Sequence, residues 1–257
     1  TTEIYTLSLH DALPISIVLK SFKAGEFDRI YWVFSAEKGK INFIAKGIRK
    51  PLAKLSGGLE PLTQAEIFLV EGRKMDRAVG VAAIDQFPEI RKNLEKNVRA
   101  RSVLELLFHL ETEPREAEKL FQQVEKYLSE LEKGSLSREK TDLLSLGVLW
   151  KIIFLSGWAV DFYHCCFCGE KLSQEKNNYF CFCRGIGCGE CLEQRKGVSR
   201  RIKVGQGEIK VLRFFQEKDL DVFKKLKLSP VLIFDLKKLT KAYLDEIIDK
   251  KLLDLWF

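Results

Sequence analysis

At 257 residues and 46% hydrophobic side chains, the chain is long enough to bury a substantial core in two or three subdomains. The longest apolar stretch, 143–158, carries Lys151 near its middle and is too short to cross a bilayer, which argues against a membrane span. The net charge of +7 is modest for this length, so its distribution along the chain matters more than its size.

The chain starts with Thr, and its one methionine is Met75. Residues 1–14 read as a non-native leader, so His10 and Asp11 carry no functional weight. From 15 to 85 the pattern is β. The runs IVLKSFK, DRIYWVF, KINFIAKG, QAEIFLVEG and DRAVGVAAID are short and apolar or alternating, with turn residues between them. Glu37, Lys38, Gly39 and Lys40 form the hairpin between the second and third runs, and a Pro- and Gly-bearing connection over 47–61 leads to the fourth. Five strands with one long third-to-fourth connection suggest a Greek-key barrel of the OB type. Periodicity alone also fits an SH3-like barrel.

Past Phe87 and Pro88 the period becomes helical. Leu94, Val98, Arg101, Leu104 and Phe108 mark one amphipathic helix. Pro114 opens a second, with Leu120, Val124, Tyr127, Leu128 and Leu131 on its apolar face and Gly134 at its end. A buried helix over 143–158 follows, and two further helical stretches lie near 206–226 and 229–255. The expected class is α+β multidomain: a barrel over 15–85, a helical domain made of 86–160 and 198–257, and a metal-binding insertion at 161–197.

That insertion holds the most specific signal in the chain. Cys165 and Cys168 form one C-x-x-C pair and Cys188 and Cys191 another, with nineteen residues between them. Each pair turns a knuckle that points two thiolates at one centre, and two knuckles close a tetrahedron around Zn²⁺. Four sulfur ligands leave no position for water or substrate, so one such Zn²⁺ per chain is structural. Cys166 lies inside the first knuckle, while Cys181 and Cys183 alternate with aromatics as in a short ribbon strand. A ligand swap by Cys183 or His164 would break the paired geometry. Seven cysteines do not pair off as disulfides, and reduced C-x-x-C pairs suit the cytoplasm; no secretory signal is recognisable.

No acidic residue occurs between Glu37 and Glu60, an interval that holds Lys38, Lys40, Lys46, Arg49, Lys50 and Lys54. Clustered Lys and Arg release condensed counterions on binding phosphates, the main sequence-independent term in nucleic-acid affinity. Tyr31, Trp32, Phe43 and Phe68 lie in the barrel strands, and those facing outward would offer stacking surfaces. A shorter cluster, Arg195, Lys196, Arg200, Arg201 and Lys203, follows the last cysteine pair.

These features together resemble the bacterial RecO family of recombination mediators. The resemblance rests on Glu26-Phe27-Asp28, VFSAEKGK, AKGIRKP, the G-x-L-E-P-L turn and the C-x-x-C pairs, and it runs from about Ile17 onward. It implies an OB-fold followed by a helical domain holding the zinc element. It also implies binding of single- and double-stranded DNA, annealing of strands coated by single-strand binding protein, and work with RecR to load RecA. Carried onto this chain, the candidate DNA contacts are Lys20, Lys23, Arg29, Lys38, Lys40, Lys46, Arg49, Lys50 and Lys54, with Lys46, Arg49 and Lys50 standing in the matching loop. Such a protein would be cytoplasmic and nucleoid-associated.

Other classes find less support. There is no G-x-x-x-x-G-K-[ST], H-E-x-x-H or G-x-S-x-G motif, and His10, His109 and His164 form no constellation, so no enzymatic activity is expected. The alternative is a protein-interaction module, built on the zinc ribbon and helices, whose contact with DNA is incidental.

Overall fold

The computed structural model describes residues 12–50, 55–134, 136–173, 177–182, 185–195 and 200–248. Five strands, β1 (Ala12–Ala24), β2 (Asp28–Ser35), β3 (Gly39–Ala45), β4 (Gln64–Val70) and β5 (Arg77–Asp85), close into a barrel in the order β1-β2-β3-β5-β4. β3 meets β5 in parallel, at Ile44 and Arg77, while the other pairs are antiparallel. This order is the OB arrangement and removes the SH3-like alternative. β1 begins at Ala12, three residues inside the segment read as a leader, because Ala12 and Leu13 pair with Phe68 and Ile67 and help close the barrel.

Alternation puts two different surfaces on each strand. Val18, Tyr31, Val33, Phe43, Ala45, Ala65, Ile67 and Ala78 fill the barrel. Ile17, Leu19 and Phe34 point the other way and share a core with the helices. The barrel wall is therefore a domain interface. β5 turns into α1 (Pro88–Lys92) through Phe87, which is buried and held in the left-handed region at φ 49°. Non-glycine residues adopt that conformation at a cost. Around the same junction the Arg91 guanidinium donates to Pro61 O and Leu62 O, and the Glu132 carboxylate accepts from the amides of Glu89 and Ile90.

The helical domain consists of α2 (Leu94–His109), α3 (Pro114–Lys133), α4 (Arg138–Leu155), α5 (Gly189–Gln194), α6 (Gln206–Glu217), α7 (Leu220–Phe223) and α8 (Pro230–Ile247). On α3 the apolar face is the one the spacing predicts, with Leu120, Val124, Tyr127, Leu128 and Leu131 buried. On α2 this holds only in part. Leu104 is buried and Val98 and Phe108 pack against the core, but Leu94 is 78% exposed and Arg101 lies outside the core, and Arg99, Ala100, Val103, Leu106 and Leu107 are buried as well. The helix is wedged between the barrel and its helical neighbours, so its buried arc is wider than one stripe.

Arg99 can be buried because α4 brings Asp142 to it, with Nη2 2.7 Å from Oδ1, and Lys237 of α8 reaches Oδ2 at 2.7 Å. A ribbon is inserted between α4 and α6. It is a sheet of β6 (Asn178–Cys181), β7 (Gly185–Cys188) and β8 (Arg201–Val204), in the order β7-β6-β8, with α5 after β7.

Asp142→Ala leaves two buried cations without their shared carboxylate. It should cost about 3–5 kcal/mol of stability in a urea unfolding experiment, the range for breaking a buried ion pair from one side.

Candidate metal centre and nucleic-acid interface

The four sulfurs of Cys165, Cys168, Cys188 and Cys191 all lie within 4.8 Å of one another. A zinc tetrahedron with Zn–S of about 2.3 Å has edges of about 3.8 Å, so the set contracts only slightly to hold the ion. The first knuckle is closed by Cys165 N donating to Glu170 O and Gly169 N to Cys165 O, with Gly169 at φ 74°, where a side chain would be strained. The second knuckle is the start of α5. Cys188 is its N-cap residue, Cys191 lies in its first turn, and Gly189 N donates to Asn177 O at 2.8 Å.

Proton affinities across the set are uneven. Burial raises the Cys165 thiol, but the amides of Cys188, Cys168 and Phe167 and the Cys168 thiol outweigh it and bring it down to about 6. Cys191 is pushed up to about 12, chiefly by its hydrogen bond to Cys188, and burial raises Cys188. One sulfur is thus prepared as a thiolate while Cys188 and Cys191 hold their protons more tightly. A soft divalent cation would displace those protons, which fits a Zn²⁺ site.

Of the two candidate substitutes, His164 does not join the cluster. His164 is exposed and its Nδ1 lies 2.9 Å from Asp161 Oδ2. Cys183 falls outside the described residues. Cys166 is exposed and Cys181 buried, both away from the four-sulfur set.

The described basic residues of the barrel, Lys38 apart, separate into two groups. The first gathers where the β1–β2 turn meets the loop after β3. Asp28 Oδ1 accepts from Gly47 N at 2.7 Å, Phe27 O accepts from Arg49 N at 3.0 Å, and Glu26 O accepts from Arg49 Nη1 at 2.6 Å. These contacts explain the aspartate of the Glu-Phe-Asp motif: Asp28 fastens one loop to the other. Lys23, Lys46, Arg49 and Lys50 are exposed there. Arg29, opposite Lys23 on β2, is half-buried and donates to Ser21 Oγ. The Lys50 ammonium sits 5.5 Å from the centre of the Phe27 ring, which is 42% exposed. Sequence reasoning missed Phe27 as a stacking surface, although its place between two acidic residues in a turn marked it as outward.

The second group is structural. Lys40 Nζ donates to Phe108 O, Leu110 O and Glu111 Oε1, and its side chain is only 8% exposed. It closes the C-terminus of α2, where unpaired carbonyls attract a cation. Lys20 turns to Glu105 at 2.7 Å and lies over the Phe108 ring. Lys38, exposed in the β2–β3 hairpin, stands alone on that side, and Lys54 falls outside the described residues.

The aromatics divide in the same way. Tyr31 and Phe43 stack on each other inside the barrel. Trp32 meets Phe108 of α2 edge to face, and Phe68 is exposed on the outer wall over Gly80.

Cys188→Ser should release one metal ion per chain and unfold the ribbon, checked by elemental analysis and circular dichroism; retained metal would exclude Cys188 as a ligand. Lys40→Ala should lower stability by about 1.5–3 kcal/mol, the range for hydrogen bonds to a charged donor, and leave DNA affinity unchanged. Thermal melts and oligonucleotide titrations of the one variant separate the two effects.

Comparison with known proteins follows this division of the chain. The family described as Recombination protein O N terminal matches residues 15–87, and Recombination protein O C terminal matches residues 91–255. A DNA repair protein RecO of Dehalococcoides mccartyi is 29% identical over 242 residues, covering 94% of this chain and 92% of that protein. Those of Desulforamulus reducens and Acetivibrio thermocellus are 28% and 30% identical, covering 92% and 91% of this chain and 90% of each relative. A barrel matched by one half of the family, joined to a cysteine-bearing helical domain matched by the other, places this chain in the RecO family.

Proposed function

We propose that the protein binds DNA at the loop end of its barrel and promotes the annealing of complementary single strands in recombinational repair. The observation that carries the reading is the loop pair fastened by Asp28 and Gly47, which sets Lys46, Arg49, Lys50 and Phe27 side by side. Among the described residues, Lys23, Lys46 and Lys50 enter no ion pair, so their charge is available to phosphates. Cations that neutralise two backbones reduce the repulsion between strands, and bases can stack on a sequence-tolerant ring while pairing nucleates.

No bond is made or broken in this reading, and the protein is not an enzyme. Family membership supports the rest of it: action on single- and double-stranded DNA, on strands coated by single-strand binding protein, and with RecR in loading RecA. Among the described residues no helix is long and apolar enough to cross a membrane, which agrees with a place in the cytoplasm beside the nucleoid. Zn²⁺ held by Cys165, Cys168, Cys188 and Cys191 would fold the ribbon and take no part in pairing.

Replacing Lys46, Arg49 and Lys50 together with Ala should weaken single-stranded DNA binding about equally across sequences. It should also flatten the slope of log K against log salt by up to ~2, at about 0.7 per lost contact, and slow annealing of strands coated by single-strand binding protein. A variant with wild-type slope and annealing rate would move the DNA path off this end of the barrel.

A further inference from the structure

The ribbon sheet has two faces of different chemistry. Phe180 pairs across to Ile186 on β7 and Ile202 on β8, and this face is set into the helical core. One residue out of phase, Tyr179 pairs across to Gly187 and Lys203, and Cys181 to Gly185 and Arg201. Arg201 and Lys203 are exposed on this outer face, and Tyr179 is half-buried.

The Phe167 ring, from the first metal knuckle, lies across Gly187. A Cβ built there would stand 2.8 Å from the ring, so only glycine lets the aromatic lie on the backbone. Two arginines complete the surface. The Arg195 guanidinium stands 4.8 Å from the Phe167 ring centre, and that of Arg201 stands 5.4 Å from Tyr179.

We propose that this face is a second site for single-stranded DNA, with bases stacking on Phe167 and Tyr179 and phosphates held by Arg195, Arg201 and Lys203. A guanidinium over a half-buried ring makes a weak contact that exchanges readily for a phosphate, and the exchange frees the open part of the ring for a base. Of the nearby acids, Glu190 and Glu193 sit on α5 and not on the sheet, whereas Glu208 and Asp235 share with Lys203 the cavity beside β8, so Arg195 and Arg201 carry most of the phosphate contact. The ribbon rests on α4 and α8 through Phe180, which meets Trp150 and Tyr243. The barrel rests on α2 and α3 through Ile17, Leu19 and Phe34. Two surfaces on different supports can hold two strands, or two stretches of one. The two-strand use rests on the annealing role proposed above, whereas binding at the ribbon does not.

The test uses the full zinc-loaded chain with a thymidine oligonucleotide carrying 5-iodouracil. Irradiation should crosslink Phe167 or Tyr179, identified by peptide mapping. Replacing Arg195, Arg201 and Lys203 with Ala should flatten the salt slope by up to ~2 and leave the zinc content at wild-type level. Tyr179→Ala should weaken binding by roughly tenfold and Tyr179→Phe should restore it, since a ring is what stacking requires.

The Lys46, Arg49 and Lys50 variant is measured beside these. A ribbon variant with wild-type slope and no crosslink at either ring overturns the second site, whatever the barrel variant does. Loss of slope in the ribbon variant with none in the barrel variant would uphold the second site and remove the barrel reading instead.

Discussion

The architecture depends on the burial of α4 from every side. Its residues Leu143 to Leu149, Trp150, Ile152 and Ile153 are all enclosed, and α2, α3, α6, α7 and α8 each pack against it. Two positions show how closely. Gly147 has no room for a side chain, since a Cβ there would stand 2.2 Å from the Phe223 ring of α7. Trp150 stacks on Tyr243 of α8, meets Phe162 and Phe180 edge to face, and donates Nε1–H to Thr240 Oγ1 at 2.9 Å. A large aromatic buried with its polar edge satisfied contributes strongly to stability and fixes its neighbours. Phe180 belongs to the ribbon, so the cysteine knuckles and the helical core meet at one indole. Disruption of the knuckles would therefore loosen a wall of the core as well as the ribbon.

A second constraint acts on the barrel. Its strands must supply an interior and, on β1 and β2, an outer wall that is buried again by the helices. That leaves little open wall there for a nucleic acid. Phe34 is fully enclosed, Trp32 is covered by Phe108, and Lys20 and Lys40 are taken by groups at the end of α2. The loop end, which no helix covers in this way, is where Lys23, Lys46, Arg49 and Lys50 remain exposed. Packing thus selects among basic residues that the sequence presents as equivalent.

Much of this was legible in the chain. The cysteine spacing named the four sulfurs that come together because a C-x-x-C knuckle is a local structure, closed by hydrogen bonds within five residues. The five strands and the apolar face of α3 followed from periodicity, which is also local. What periodicity could not supply was the identity of each face. Tyr31 and Trp32 alternate identically in sequence, yet one lies inside the barrel and the other against α2, a difference set by closure of the sheet. The full width of the buried side of α2 was missed because Arg99 looks like a surface residue until Asp142, 43 positions away, neutralises it. Lys40 was read as a phosphate contact for the same reason: its partners at Phe108 and Leu110 lie 68 and 70 positions on.

The fate of each cation therefore turns on whether folding supplies it with an internal anion or carbonyl. Lys20, Lys40, Arg99 and Lys237 are supplied, and they hold the barrel to α2 and α2 to α4 and α8. Among the described residues, Lys50 over Phe27, and Arg195 and Arg201 over Phe167 and Tyr179, are paired at most with rings. A cation over an exposed ring keeps most of its attraction for phosphate, because the ring neutralises none of its charge. Cations without an internal anion thus stand beside aromatic rings on the loop end of the barrel and the outer face of the ribbon. At both, a flexible polyanion with planar bases meets charge and stacking surface together.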